Sequence, residues 1–418
     1  MRTDVGLQTP DAGQRTPDNG RKSNGLVRRL ASGGWCLVCC LLITGCSTFT
    51  FRRPPPPPGV TTLKSPLVQL PAQHIGNYLV LEAKWDRSGP YHFVIDTGAS
   101  VTLVTPTLAR RYPGRYPTAP NAPRVRVNDA MELPSASLRR LELGDALFED
   151  VPVLLYDCAE MSAHLGVRID GILGFPMFRE TLLTMDYPGS RVLLQPKDAT
   201  AVTPGTVIPF DDSRKTPLIS LRLGERTFAT LIDSGSDAAF SLNPAGLNLR
   251  YITAPRPGAT VGTIAGDRTQ QIGRLGESLA LGDYTFERPI VDLTDDLSAI
   301  GAGVLKYFSV TFDQSHDRVM FFRDTRAPIM MGPRRSAGVS FSKTPAYWRV
   351  AGVVPGSSAA DGGVRLGDLI TRINGEPVAK WDLVRYEQLV GAADEIGFTF
   401  LNGNAETEKR IRVFELVP

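Results

Sequence analysis

Two stretches of this 418-residue chain share one pattern. Phe93-Val94-Ile95-Asp96-Thr97-Gly98-Ala99-Ser100 is an apolar run that delivers a carboxylate to a hydroxyl-Gly turn, and Thr230-Leu231-Ile232-Asp233-Ser234-Gly235-Ser236-Asp237 repeats it in the other half of the chain. Such a run reads as a buried strand, and a carboxylate at its end is costly to bury unless it finds a partner or a proton. Asp96 and Asp233 can be each other's partner. Sharing one proton, they would present one carboxylate able to take a proton from water and one carboxylic acid able to give a proton to a leaving group. Taken singly, Asp-Gly and Ser-Gly are ordinary turn chemistry. Turns alone do not explain a repeat that continues downstream.

The continuation is clear on both sides. Leu138 to Glu149 aligns with Glu277 to Glu287, each with alternating apolar residues around a Gly-Asp pair, Gly144-Asp145 or Gly282-Asp283, which predicts a hairpin. Gly171-Ile172-Leu173-Gly174 then precedes Pro176-Met177-Phe178, and Ile300-Gly301-Ala302-Gly303 precedes Lys306-Tyr307-Phe308. Upstream, Leu79 to Ala83 leads by a turn at Ser88-Gly89-Pro90 into the Asp96 strand, and Leu218 to Leu223 leads by a Gly224-Glu225 turn into the Asp233 strand. Helical periodicity is sparse.

On these motifs residues 67 to 324 resemble the pepsin and retropepsin superfamily of aspartic proteases. The resemblance implies a mainly β fold of two pseudo-twofold-related β-barrel lobes, a catalytic dyad of Asp96 and Asp233, water as the nucleophile, and neither cofactor nor metal. Thr97 and Ser234 would bond across the pseudo-twofold to the opposite turn, with Gly98 and Gly235 letting the backbone turn tightly beside them. In the family a hydrophobic-hydrophobic-Gly strand crosses behind each catalytic turn. Ile172-Leu173-Gly174 fits that pattern, whereas Gly301-Ala302-Gly303 departs from it and would leave less bulk behind the second turn. Residues 257 to 272, and 125 to 137 in the first half, stand where the family has a substrate-covering hairpin. The turns differ three residues after the Asp, Ala99 in one and Ser236 in the other. A hydroxyl there can donate to the carboxylate, so Asp233 is expected to ionise more readily and Asp96 to hold the proton.

After Pro328 to Arg335 the composition shifts. Gly338-Val339-Ser340-Phe341, then Ser357-Ser358-Ala359-Ala360, Gly363 to Ile370 and Ile373-Asn374-Gly375-Glu376 resemble a PDZ domain of bacterial envelope proteases. Ser357 can cap a short helix, Asn374-Gly375 suits a hairpin turn, and Asp382 to Val390 carries apolar residues at helical spacing. Gly338 to Phe341 matches the family's carboxylate-binding loop, with Ser340 in place of its third glycine; such a loop receives a peptide C-terminus as an added strand.

At the other end, Arg28-Arg29 precede an apolar stretch from Trp35 to Ile43, too short to span a bilayer as a helix, that ends in Ile43-Thr44-Gly45-Cys46. This resembles a bacterial lipoprotein signal, implying removal of residues 1 to 45, lipidation at Cys46, a membrane anchor, and a periplasm-facing location, with Ser47 matching the outer-membrane sorting pattern. Pro54 to Pro58 favours a polyproline II spacer. The domain reading is therefore a signal at 1–45, a lipidated tether at 46–66, protease lobes at 67–200 and 201–326, and a PDZ module at 327–418. Of the five cysteines, Cys158 alone would remain as an unmodified thiol, read as a small core residue.

A net charge of +3 is small for this length, and there is no aromatic-interleaved basic stripe, so nucleic acid is not an expected partner. His74, His92, His164 and His316 lack metal spacing, and no Gly-x-Ser-x-Gly elbow is present. The expected partners are a peptide or protein substrate and a protein C-terminus at the PDZ module. Internal duplication favours a monomer over a dyad completed by a second chain, and the alternative function is a non-catalytic peptide-binding lipoprotein.

Overall fold

The computed structural model describes residues 59–112, 124–128, 131–199, 205–263 and 266–418. Cys46 and the proline run at 54–58, with the export signal before them, lie outside the described residues.

The chain is mainly β, as two related barrel-like lobes followed by a smaller sheet. The halves meet in a six-stranded layer. Thr206–Pro209, Arg318–Phe322 and Ser309–Asp313 come from the second half, and Thr181–Asp186, Arg191–Pro196 and Val68–Ile75 from the first. At its centre Leu183 pairs with Phe312 and Met185 with Val310, and the hydroxyls of Thr184 and Thr311 stand 2.8 Å apart on the axis that relates the halves. Val68–Ile75 alternates buried and exposed positions, as a strand with one face on a core must. Behind it Trp85, Phe93 and Phe148 are fully buried, each worth about 1.5–3 kcal/mol in removed apolar surface.

Each half repeats one unit. Tyr78–Trp85 pairs with Ser88–Asp96 in the first, Leu218–Leu223 with Arg226–Asp233 in the second. The second turn is at Gly224-Glu225 as expected, Gly224 having φ +57°. The first is one step earlier than the Ser88-Gly89-Pro90 reading: Trp85 pairs with Ser88 across Asp86 and Arg87, which both take positive φ. Pro90 marks the neighbourhood of the turn and not its apex. The hairpins at Gly144-Asp145 and Gly282-Asp283 form in the predicted register, Leu143 opposite Ala146 and Leu281 opposite Tyr284.

The strand behind each Asp-Thr-Gly or Asp-Ser-Gly turn corrects the sequence reading. In the first half Gly171–Gly174 runs parallel to the Asp96 strand with Asp96 opposite Gly174. In the second, Ala299–Gly301 runs parallel to the Asp233 strand with Asp233 opposite Gly301. The counterpart of Ile172-Leu173-Gly174 is thus Ala299-Ile300-Gly301, which is hydrophobic-hydrophobic-Gly, and Gly303 already belongs to the short helix Ala302–Leu305. The second turn is backed as fully as the first, since Ala299 and Ile300 are buried. Glycine is required at both crossings for the same reason. A Cβ on Gly174 would lie 2.5 Å from the Val101 carbonyl carbon, and one on Gly301 2.3 Å from the Ala238 oxygen.

The C-terminal sheet runs Val339–Lys343, Trp348–Val353, Leu369–Ile373, Glu395–Asn402, Ala405–Arg412, with the first strand at one edge. Its local signals are read correctly. The Ser357 hydroxyl caps Ser358–Asp361 by accepting from Ala360 N–H, Asp382 caps Leu383–Ala392 by accepting from Arg385 N–H, and Asn374-Gly375, both at positive φ, joins Ile373 to Glu376.

Candidate active site

Asp96 and Asp233 are the last residues of their strands, and the crossing strands bring both to the junction of the lobes. Their carboxyl groups hydrogen-bond each other. Two reciprocal pairs of bonds hold the turns in place. Ser234 N–H donates to Thr97 Oγ1 at 3.1 Å and Thr97 N–H to Ser234 Oγ at 2.9 Å; Thr97 Oγ1 donates to the Ile232 carbonyl at 2.7 Å and Ser234 Oγ to the Ile95 carbonyl at 2.9 Å. Both hydroxyls are buried, and each is donor and acceptor at once, which leaves none of the four backbone groups without a partner.

The glycines are as tightly constrained. A Cβ on Gly98 would stand 2.6 Å from an Asp233 carboxyl oxygen, and one on Gly235 2.3 Å from the Asp96 carboxyl carbon. Each carboxyl group leans over the opposite turn, into space that only glycine leaves free.

The carboxyl groups are not equivalent. Asp96 Oδ1 accepts from Gly98 N–H at 2.7 Å and Ala99 N–H at 3.1 Å; among the described residues Asp233 Oδ1 accepts from the Gly235 N–H at 3.0 Å. Burial pushes Asp233 well above the ordinary carboxylate range, and the Asp96 charge adds to the rise. Burial also raises Asp96, but the N–H groups of its turn work against it by favouring the charged form. The backbone N–H groups thus favour the charged form at Asp96 more than at Asp233, which runs against the expectation drawn from Ser236. Among the described residues the Ser236 side chain makes no hydrogen bond; its backbone is tied instead, N–H to the Asp233 carbonyl at 3.3 Å and carbonyl to Ala302 N–H at 2.7 Å. A testable consequence is that Ser236→Ala leaves the acidic limb of a pH–rate profile in place, because the bonds that reach the two carboxyl groups come from backbone N–H groups and not from this hydroxyl. A shift of the limb in this variant would return the hydroxyl to the dyad.

Several groups around the dyad carry no sequence signature. Tyr78 follows the Gly76-Asn77 turn on the strand beside Asp96. Its phenol is buried, lies against the Asp237 backbone, and is pushed up by burial and by the charges of Asp237, Asp233 and Asp96. Asn77 Nδ2 donates to the Asp237 carbonyl at 3.0 Å, a bond from the first lobe to the turn of the second. Tyr187, just past the central strand Thr181–Asp186, is buried, and burial together with the charges of Asp233 and Asp96 pushes its phenol up. These positions become neighbours of the dyad only through strand pairing, and no spacing along the chain announces them.

Both expected covering hairpins form, Arg124–Asn128 with Met131–Leu143 and Tyr251–Thr263 with Gly266–Leu275. The second also anchors the C-terminal sheet: Ile272 packs with Val354, Leu416 and Val417, and an Arg256 Nη donates to the Glu415 carbonyl at 2.6 Å. Cys158 is buried in the apolar cluster that contains Tyr78, and its thiol is pushed up to about 12 by burial, as a core residue's would be. In the Gly338 to Phe341 segment, Gly338 takes φ +77° and its carbonyl accepts from Val354 N–H at 2.8 Å; Val339 and Phe341 point into the core of the C-terminal sheet, and the Ser340 hydroxyl is buried without a hydrogen-bond partner among the described residues.

Residues 81–177 match the family model of the aspartyl proteases, and residues 349–396 that of the PDZ domain. No curated protein matches the chain. The first match covers the strand pair, turn and crossing strand of the first lobe, so the chain carries an aspartyl protease domain and, after it, a PDZ domain. The matched stretch ends before Asp233, and the identical crossing register is what relates the second half to it.

Proposed function

We propose that the chain is an aspartic endopeptidase in which Asp96 and Asp233 activate a water against a peptide bond. The observation that carries this reading is the pair of carboxyl groups brought together at the junction of the lobes, each leaning over the opposite glycine and held by the reciprocal Thr97 and Ser234 bonds. Asp96, charged, takes a proton from the water as its oxygen adds to the scissile carbonyl carbon. Asp233 gives its proton to the carbonyl oxygen, so the tetrahedral intermediate forms as a neutral diol. Collapse breaks the C–N bond while the proton held by Asp96 passes to the leaving nitrogen, and Asp233 recovers a proton from the diol. The PDZ domain assists by holding a substrate or partner peptide.

Incubating the purified chain with a proteome-derived peptide library, and sequencing the cuts across the acid and neutral range, tests the reading. Internal cleavage that is blocked by a peptide with a secondary alcohol in place of its scissile carbonyl supports it; no cleavage at any pH refutes it.

The sequence before residue 59 supports an envelope setting for this activity: a lipid on Cys46, a polyproline spacer, and substrates among envelope proteins or peptides, at a periplasm-facing and outer-membrane location. Cys46→Ala is expected to move the protein from the membrane fraction to the soluble periplasm or to leave it unprocessed. Mass spectrometry that finds the wild type soluble and without lipid would overturn the anchor.

A further inference from the structure

A PDZ domain takes its ligand as an extra strand along an exposed sheet edge. Here the edge strand is Val339–Lys343, and the helix Leu383–Ala392 packs beside it through the contact of Phe341 with Tyr386. Neither is free, because the first protease lobe covers both. Its helix Ala159–Leu165 packs against the edge strand, and Lys343, itself buried, donates from Nζ to the His164 carbonyl at 2.5 Å. Leu383, the first residue of the PDZ helix, joins the apolar cluster of Ile75, Tyr78, Cys158 and Leu165, and lies against the Gly76 turn.

The other side of the PDZ domain is tied differently. Arg274 is buried in the second lobe and donates to the carbonyls of Arg288, Met331, Gly332 and Pro418, binding the connecting segment and the last strand together. The second-lobe face is thus secured by the Arg274 bonds to Met331, Gly332 and Pro418, the Arg256 bond to Glu415 and an apolar seam, whereas among the described residues the first-lobe face carries the Lys343 bond to His164, the packing of Ala159–Leu165 on the edge strand and Leu383 in its cluster. If the interface opens, it opens on the first-lobe side.

We propose that the first lobe holds the PDZ peptide edge closed, and that an extended peptide enters it by displacing Ala159–Leu165, which also withdraws Leu383 from the Gly76 turn. Leu383 and the turn that carries Asp233 are joined through one short segment, since Leu383 lies against Gly76 and the next residue, Asn77, donates to the Asp237 carbonyl. Leu383 is then a positioning residue, and occupancy of the PDZ edge lowers the fit of the cleft to its substrate. This coupling rests on the catalytic reading above; the closure of the edge does not.

Hydrogen exchange on the full chain separates the two. Leu383→Asp places a carboxylate in the first-lobe cluster and leaves the PDZ core untouched. It is expected to speed amide exchange in 159–165 and 339–343 by tenfold or more, with the interior strands Leu369–Ile373 and Glu395–Asn402 unchanged. Should those interior strands also lose protection, Lys343→Met, which keeps the aliphatic stem but deletes the bond to His164, gives the smaller change in the same direction. Unchanged exchange at the edge and at 159–165 in both variants overturns the closure, whatever the activity. With exchange raised, Leu383→Asp is expected to lower kcat/KM at least threefold, mainly through KM; equal kcat/KM removes the coupling. Absence of turnover in the wild type refutes the catalytic reading and leaves the exchange result standing.

Discussion

Asp96→Asn and Asp233→Asn are each expected to reduce peptide hydrolysis by about 10²–10⁴-fold or more, the usual worth of a positioned acid or base, while the chain stays folded. The two variants should differ in stability. Folded-state pKa values raised above the unfolded ones mean that the pair's contribution is fully present below the ordinary carboxylate range and is lost as pH rises through the raised values. Burial and the Asp96 charge push Asp233 up, and in the proposed mechanism it is the member that holds the proton, so an amide in its place keeps the neutral donor and removes the group that must ionise at high pH. Asp233→Asn should therefore melt at or above the wild-type temperature at neutral to alkaline pH. Asp96→Asn instead removes the charge served by Gly98 and Ala99, and its amide cannot accept from those N–H groups through nitrogen. Thermal melts across pH, alongside kinetics, check both. Substantial turnover in either variant would remove the two-carboxylate mechanism.

Thr97→Val is the second large effect. Valine matches threonine in shape, so the change deletes one hydroxyl from a buried site and little else. It leaves the Ser234 N–H without its acceptor and the Ile232 carbonyl without its donor. Each buried orphan costs about 1–3 kcal/mol, so a loss of roughly 2–5 kcal/mol is expected, a large share of the stability of a typical domain. Because those bonds hold the two Asp turns in register, activity should fall even under conditions where the variant is folded. Thr97→Ser restores the hydroxyl and should recover both properties in large part. Denaturant titration with parallel kinetics distinguishes the outcomes; a Thr97→Val variant as stable and active as wild type would mean the reciprocal bonds do not hold the turns.

Much of this was determined by local sequence. An apolar run ending in Asp-Thr-Gly or Asp-Ser-Gly specifies a buried strand and a turn that only glycine can make, and its repetition, with the Gly-Asp hairpins at 144 and 282, determined two like lobes facing across an axis. Ser357, Asn374-Gly375 and Asp382 act on their own neighbours, so the start of each helix and the turn of the hairpin could be read without knowing the rest of the fold.

What the tertiary structure alone decided depends on groups far apart in the chain. Gly301 and not Gly303 backs the second turn because parallel pairing sets Asp233 opposite Gly301, a register fixed by the strand pairing and not by the position of either glycine along the chain. Asp96 and not Asp233 receives two backbone N–H bonds from its own turn although Ala99 and Ser236 suggest the opposite preference, and hydrogen bonds of that kind are counted in three dimensions. The covered PDZ edge follows the same logic. Lys343 and Leu383 look like ordinary strand and helix residues until the first lobe supplies the His164 carbonyl and the Tyr78 cluster against which they pack.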